Sequence, residues 1–519
     1  MSLSNSTPHP QWATKYRTKG TELRNIKGNY YLYEYKTVYD AVRKRAKKVS
    51  GRLLGRITEE EGLVDSSKLK LHRQLERIKS AETKMETELS LKVGGHREFG
   101  VSEYILSKFN SFLDRLKQFF PTDWQLIALI VYCRWLYQCP IKNMPMLMMQ
   151  SWLYEQWQPG TVSDRKISDM LRSLGRSREQ VVAYMKSFIS GGSYVLVDTT
   201  HILSQSSQIE LAKKGYNSKM DFEPQISTMY LFSASNKTPL FYRINPGNIR
   251  EVKAFRLTLK ESGITDAVLI GDKGFHSKDN VELLDTERLQ FILPLIRTHE
   301  LIDYASIANY SIKNEKQYFM HQGRIIWYKV LSDNRQTETT EKEKNQYHKM
   351  ICLFLDEGLR NREERDYLAG IDKAYDGYSW EKYQEKKTAM GTMTISSSLQ
   401  KTTTPQAVYE TYKTRLEIEE MFDTLKTMLR ADATYMQNEE ALQGWMFINH
   451  IALQWCHQTY AQLSEMNLLA KYSVKDLQQL LKEIRQVNIN GTWYKAESTK
   501  ATLKLEASLI SNNYKKKNK

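Results

Sequence analysis

The stretch YKTRLEIEEMFDTLK, Tyr412–Lys426, decides how the rest of the chain is read. On an α-helix, residues three, four and seven apart share a face, so Tyr412, Arg415, Glu419 and Lys426 fall within about 60° of one another. With Glu419 as origin, Ile418, Phe422, Leu425 and Leu429 form an apolar face at about −60° to −120°, and Glu417 and Glu420 point towards solvent. Glu419 and its stripe then sit at the rim of a buried face, where a side chain reaches a cleft. Asp423, one turn on, is the local rival. Taken by itself, the helix is equally well explained as a surface ladder of ion pairs, Arg415–Glu419–Asp423–Lys426, at about 0.2–0.5 kcal/mol per pair.

Two further carboxylates change that balance. YVLVDTT is an apolar run ending at Asp198, and AVLIGDKGF is another ending at Asp272. Each Asp alone reads as turn or cap chemistry, since DTT and DKG are both turn-like. Both, however, close strands in a β-β-β-α-β order, where side chains emerge at the edge of the sheet and ligands gather. Three hard oxygen ligands, Asp198, Asp272 and Glu419, suit Mg²⁺ or Mn²⁺. Two such ions about 4 Å apart activate a water or sugar hydroxyl and stabilise the leaving oxygen in an in-line attack on a phosphodiester.

Composition points the same way. The net charge is +16, from 76 Lys and Arg against 60 Asp and Glu, which favours a polyanionic partner over a merely soluble basic protein. The cysteines, Cys133, Cys139, Cys352 and Cys456, are scattered without a C-x2-C pair, which argues against a disulfide framework or a zinc ribbon and fits a reducing compartment. The first twenty residues lack an apolar signal core. The most apolar run, Trp124 to Cys139, is shorter than the roughly 18 residues a membrane span needs and carries Arg134, so it reads as a buried helix and membrane attachment is not expected.

Residues 1–118 form a basic region read as DNA-binding, although a basic run is also an ordinary exposed face. Within it NYYLYEY suggests a strand, RKRAKK and GRLLGRITEEEG a short hairpin ending in an acidic turn, and SSKLKLHRQLERIKSAETKMETELS a solvated helix. Residues 119–190 are helical. There Ile167, Met170, Leu171 and Leu174 share a face, Gly175 splits two helical periods, and Ser177 with Gln180 makes a capping box. The pair suits a helix-turn-helix or a plain helical hairpin. Strands then alternate with a helix at Arg250–Ser262. SDNRQTETTEKEKNQYHK reads as a loop between strand-like GRIIWYKVLS and KMICLFLDEG, and the chain ends in helices and a basic tail, YKKKNK. His201 is near enough to Asp198 to approach a metal but reads better as a hydrogen-bonded structural residue. His450 and His457 read as core-edge residues.

These residues carry a resemblance. The chain resembles the DDE transposases of the cut-and-paste bacterial insertion-sequence type (insertion-sequence family four), whose signature Y-x2-R-x3-E-x6-K is met by Tyr412, Arg415, Glu419 and Lys426. Asp198 and Thr200 match the family's D-x-T motif. Asp272, Lys273, Gly274 and Phe275 match its second motif, an Asp followed by a basic residue, Gly and an aromatic. The resemblance covers roughly residues 190–470. It implies an α/β fold with a ribonuclease-H-like catalytic core, split between 191–290 and 406–470, and a β-rich insertion at 291–405. The N-terminal region and helical segments, with a C-terminal segment at 471–519, would flank that core.

The resemblance further implies two Mg²⁺ (or Mn²⁺) ions on Asp198, Asp272 and Glu419, and DNA contacts from Tyr412, Arg415, Lys426 and Lys273. Its partners would be double-stranded DNA, both transposon terminal inverted repeats and target, in a homodimeric paired-end complex in the prokaryotic cytoplasm at the nucleoid. A nick at each end would free a 3′-hydroxyl that attacks the opposite strand to form a hairpin, later reopened and joined to target. Two alternatives remain at the level of sequence: a domesticated DNA-binding protein without catalysis, and a metal-dependent nuclease that joins no ends.

Overall fold

The apolar run forms the helix Trp124–Tyr137, in which every residue from Leu126 to Leu136 is buried. Even Arg134 is inside: its Nε and Nη2 donate to Asn449 Oδ1 at 3.1 and 2.9 Å, and Nη2 also donates to Leu429 O at 2.5 Å. A buried guanidinium needs such partners, because an unmatched buried charge is far costlier than the bonds are worth. Among the described residues no helix is long and apolar enough to cross a membrane.

The structure is a computed structural model, and it describes residues 9–40, 45–67, 70–71, 74–80, 93–215, 223–314, 316–333, 349–400 and 402–509. The expected loop lies outside these residues from Asn334 to His348, as do the basic tail and much of the expected helix after Ser66. The described parts of that last segment, 70–71 and 74–80, are helical.

The chain divides into two compact units, residues 1–95 with 487–494, and residues 96–486 with 495–519. The first contains the antiparallel sheet β1 (Thr21–Ile26), β2 (Asn29–Asp40), β3 (Arg45–Thr58) and β4 (Gly62–Asp65), in that order. Period-2 alternation places Leu23, Leu32 and Ile57 on one face, where they bury with Ala13 against Trp12, Tyr16 and Tyr30. RKRAKK and GRLLGRIT, expected as a short hairpin, instead lie on the single strand β3 as far as they are described, and the expected acidic turn, Glu59–Glu61, joins β3 to β4.

In the second unit eleven strands of the described residues share one mixed sheet. Its heart is β5 (Ser193–Ser204), β7 (Pro224–Ser233), β8 (Thr238–Pro246), β9 (Ala267–Gly271) and β10 (Gln290–Pro294), with the two-residue β6 (Lys213–Lys214) pairing β7. The spatial order is β8-β7-β5-β9-β10: β7 and β8 are antiparallel neighbours, whereas β9 and β10 run parallel to β5. β9, AVLIG, is buried throughout, as a central parallel strand covered on both faces requires. Helix Glu251–Ser262 leads into β9 and helix Lys278–Thr286 joins it to β10. Residues 291–405 contribute β11 (Tyr318–His321), β12 (Arg324–Asp333), β13 (Met350–Asp356) and β14 (Thr392–Ser397). These extend the same sheet beyond β10, through the antiparallel pairing of β14 with β10.

The helices Asp164–Arg176 and Arg178–Lys186 meet at Ser177. Ile167, Leu171 and Leu174 of the first are buried, and Val181, Tyr184 and Met185 of the second. Ser177 does not make the expected capping box. It also ends the preceding helix and holds ψ 42°, outside the extended conformation from which an N-cap hydroxyl reaches the next turn. The 27-residue helix Glu439–Glu465 crosses the core and presses so close to the first of this pair that a Cβ on Gly444 would come 2.0 Å from Leu171 O. His450, expected at the edge of the core, is wholly inside it. It packs against the rings of both Tyr230 and Tyr242, and burial depresses its pKa to about 3.

Candidate active site

Register brings the two aspartates together. The parallel pairing of β9 with β5 ends at Gly271 opposite Val197, so the next residue on each strand is Asp272 and Asp198. Asp198 does not close its strand as expected. β5 runs on to Ser204, because β7 continues the ladder after β9 stops, with Asp198 opposite Tyr230. The residues beyond Asp198, TTHILS, are rich in strand formers and alternate well enough to keep pairing. Asp272 leaves its strand into a short 3₁₀ turn, Lys273–Phe275, and accepts from the Lys273 amide at 2.7 Å.

The stretch Tyr412–Lys426 is not one uniform helix. Helix Pro405–Lys413 ends, helix Leu416–Asp423 begins, and Thr424–Met428 widens into a π-turn. At the joint the bonds tighten to a three-residue reach, with Arg415 N donating to Tyr412 O at 3.0 Å and Ile418 N to Arg415 O at 3.2 Å. The uniform 100° phase therefore fails locally. Ile418, Met421, Leu425 and Leu429 are the buried residues, and Phe422 is only partly covered. Glu417 is also not solvent-facing: it pairs with Lys237 at 3.3 Å, and burial raises its pKa. Glu420 is exposed, as expected. π-turns gather at functional sites, and this one carries the half-buried Lys426.

Arg415 is the centre of the arrangement. Its Nη2 lies 3.1 Å from Asp198 Oδ2 and 3.9 Å from Asp272 Oδ2, and its Nη1 donates to Glu419 Oε1 at 2.6 Å. Its Nε is buried without a hydrogen-bond partner. The Arg415–Glu419 rung of the expected ladder is present. The same guanidinium reaches two strands more than a hundred residues away in sequence, and Asp423 accepts from Thr427 Oγ1 at 2.8 Å.

Burial pushes Asp198 up to about 6. Arg415 and the Thr199 amide oppose that rise, and the charges of Asp272 and Glu251 add to it. Glu251 was not among the expected site residues. It stands in the first turn of helix Glu251–Ser262, and its own carboxyl is raised by burial and by Asp272. Its Oε2 occupies the space beside Gly274, only 2.5 Å from where a Cβ would be. In sequence it is an ordinary first-turn acid favoured by the helix dipole, and only the glycine in DKGF hints that something approaches that turn. The Tyr412 hydroxyl is pushed up to about 12, chiefly by burial, and Asp272, Glu419 and Asp198 add to the rise. Lys273 is exposed. The half-buried His201 has its pKa lowered by burial and by the Lys426 charge.

Among the described residues, no three His, Cys, Asp or Glu side chains stand grouped as a metal-binding set. Asp198, Asp272 and Glu419 are instead drawn around a guanidinium. The donor chemistry nonetheless fits a divalent cation. All the acids offer hard oxygens, Glu419 is half-exposed and able to turn, and the Asp198 carboxyl is short of positive charge even with Arg415 beside it.

A family model described as a transposase DDE domain matches residues 189–455. No curated protein matches the chain significantly. Among solved structures, a cryo-EM structure of the piggyBac transposase synaptic complex with hairpin DNA is similar. It is 9% identical with a TM-score of 0.37, over 74% of this chain and 80% of that one.

Proposed function

Because this chain belongs to the transposase DDE-domain family, we propose that it cleaves DNA at transposon ends and transfers the strands into target DNA, as a cut-and-paste enzyme of the Y-x2-R-x3-E-x6-K type. The observation that carries this reading is the convergence of Asp198, Asp272 and Glu419 on Arg415. The strand order β8-β7-β5-β9-β10 supports a ribonuclease-H-like core, with the carboxylates at the end of its parallel pairing.

DDE transposases generally use divalent metal ions. Here Asp198, Asp272 and Glu419 would hold them, Mg²⁺ or Mn²⁺ as a pair, and ions there would polarise the scissile phosphate and acidify the attacking hydroxyl. The protein's own groups do the rest. Arg415, whose planar fork suits two phosphate oxygens, grips the backbone beside the bond that breaks. Tyr412 and Lys426 line the same approach, and Lys273 meets the DNA from the turn after Asp272. In each step an oxygen nucleophile, water or a 3′-hydroxyl, forms the new P–O bond as the opposite P–O bond breaks. These residues hold the phosphate in line while this happens. Residues 1–118 supply DNA binding in this reading, and a homodimer pairs the two ends.

The test is single-turnover cleavage of end DNA. Asp198→Asn, Asp272→Asn and Glu419→Gln should each abolish cleavage while binding persists, and Glu420→Gln on the exposed side should cleave as wild type. Metal-dependent nicking retained in any of the first three removes that residue from the site. Nicking without subsequent joining by the wild-type chain would favour a nuclease.

A further inference from the structure

β2 and β3 do not end where the rest of their sheet ends. β1 pairs β2 only as far as Glu34, and β4 pairs β3 only from Gly55 onward. Beyond those points Tyr35 to Tyr39 pairs with Ala46 to Ser50 as a bare two-stranded ribbon. Lys36 to Tyr39 and Arg45 to Arg52 are exposed on both faces. Two-stranded ribbons are marginal in water, and this one also shows solvent large apolar groups, with Val38 at 53%, Tyr39 at 67% and Val49 at 46% exposure. Such a surface invites a partner.

Pairing register sorts the side chains. Thr37 faces Lys48 and Tyr39 faces Ala46, so one face carries Tyr35, Thr37, Tyr39 and Lys48. Lys48 lies over the Tyr35 ring at 4.5 Å. The other face carries Lys36, Val38, Lys47 and Val49. Both faces are therefore cationic and both offer apolar or aromatic contact. A lipid surface would want these groups segregated onto one side. A groove in a polyanion contacts both sides and both edges. The major groove of B-DNA, about 12 Å wide, admits a two-stranded ribbon, with phosphates on each wall for lysines and thymine methyls on its floor for valine or an aromatic ring.

We propose that the ribbon Tyr35–Tyr39/Ala46–Ser50 inserts into the major groove of duplex DNA, as a contact separate from the catalytic carboxylates. It rests on the transposase reading only in naming DNA as the polyanion.

The experiment compares the full-length chain with a Lys36→Ala/Lys47→Ala/Lys48→Ala variant and with Tyr39→Ala. It measures binding to a short mixed-sequence duplex over a range of salt, without divalent ions. The triple variant should lower the slope of log affinity against log salt by about 0.9 for each phosphate that is no longer neutralised. Binding by wild type should be displaced by methyl green, which occupies the major groove, and not by netropsin, which occupies the minor. Tyr39→Ala should weaken binding several-fold at unchanged slope. Circular dichroism should be the same for all three chains. A triple variant with the wild-type slope, or displacement by netropsin alone, overturns the proposal. So does loss of self-association in sedimentation with duplex binding intact, which would make the ribbon a contact between copies. Cleavage is read separately: a wild-type chain that binds through the groove but never nicks end DNA sinks the catalytic reading and leaves the ribbon standing.

Discussion

Arg415 Nη2 stands 3.1 Å from Asp198 Oδ2, a contact between residues 217 apart in the chain. One arginine thereby joins a helix joint to the middle of the sheet, and its charge balances Asp198, Asp272 and Glu419, acids that would otherwise repel each other. A surface arginine tolerates replacement with little loss; this one is placed to do two jobs.

Arg415→Ala should therefore lower stability in metal-free buffer by about 1.5–3 kcal/mol, the range for hydrogen bonds to charged groups. Added Mg²⁺ should restore more melting temperature to the variant than to wild type, because the cation replaces the missing charge. If Arg415 grips phosphate as proposed, cleavage should still fall by about 10²–10³. Arg415→Lys should recover stability better than rate, an ammonium being a point charge where the guanidinium is a fork. Thermal melts with and without Mg²⁺, set beside cleavage rates, check both halves. Wild-type rates in both variants would return Arg415 to a structural ion pair.

Glu251→Gln should raise the Mn²⁺ concentration for half-saturation by about tenfold, as removing a group that supports metal ligands commonly does. Gly274→Ala should act in the same direction, because its Cβ would displace the Glu251 carboxylate. Calorimetric titration with Mn²⁺ measures this independently of turnover. Unchanged affinity in Glu251→Gln would leave Glu251 as a neighbour without a part in the site.

Glu98 gives the fold a pH dependence away from the active site. It is wholly buried beneath the start of helix Gly100–Lys108, accepting from the Val101 and Ser102 amides and from Ser102 Oγ, and burial raises its pKa from 4.5 to about 7. The folded state thus binds this proton more tightly than the unfolded chain. Its stabilising effect is complete below about pH 4.5 and is lost as pH rises through about 7. Above that range the loss amounts to about 3 kcal/mol. Urea unfolding at a series of pH values should show this decline in wild type and a flatter profile in Glu98→Gln. Parallel profiles would mean that the carboxyl ionises without cost.

Much of this was legible in the sequence. Apolar runs bounded by turn residues locate β5, β9 and the buried helix Trp124–Tyr137, because burial demands hydrophobic continuity wherever the partner strands lie. Asp198, Asp272, Glu419 and Arg415 could be singled out by residue type and spacing, and the fold does bring these four together. Helical phase was readable only as far as the helix is regular. Tightened bonds at Arg415 and a π-turn after Asp423 rotate the side chains, so Glu417 turned inward and Met421 took the buried place expected for Phe422. Such irregularity is imposed by packing, which no local pattern records.

What tertiary structure alone decided is adjacency. The Val197–Gly271 register sets two aspartates side by side, although nothing within either strand specifies its neighbour. Glu251 joins them because its helix starts where Gly274 leaves room for a carboxylate, a relation between two backbones that neither segment encodes separately. The sequence by itself chose the chemical groups and the elements that carry them. Distances, and with them the raised pKa of Asp198 and the central place of Arg415, came from the sheet pairing that folded those elements together.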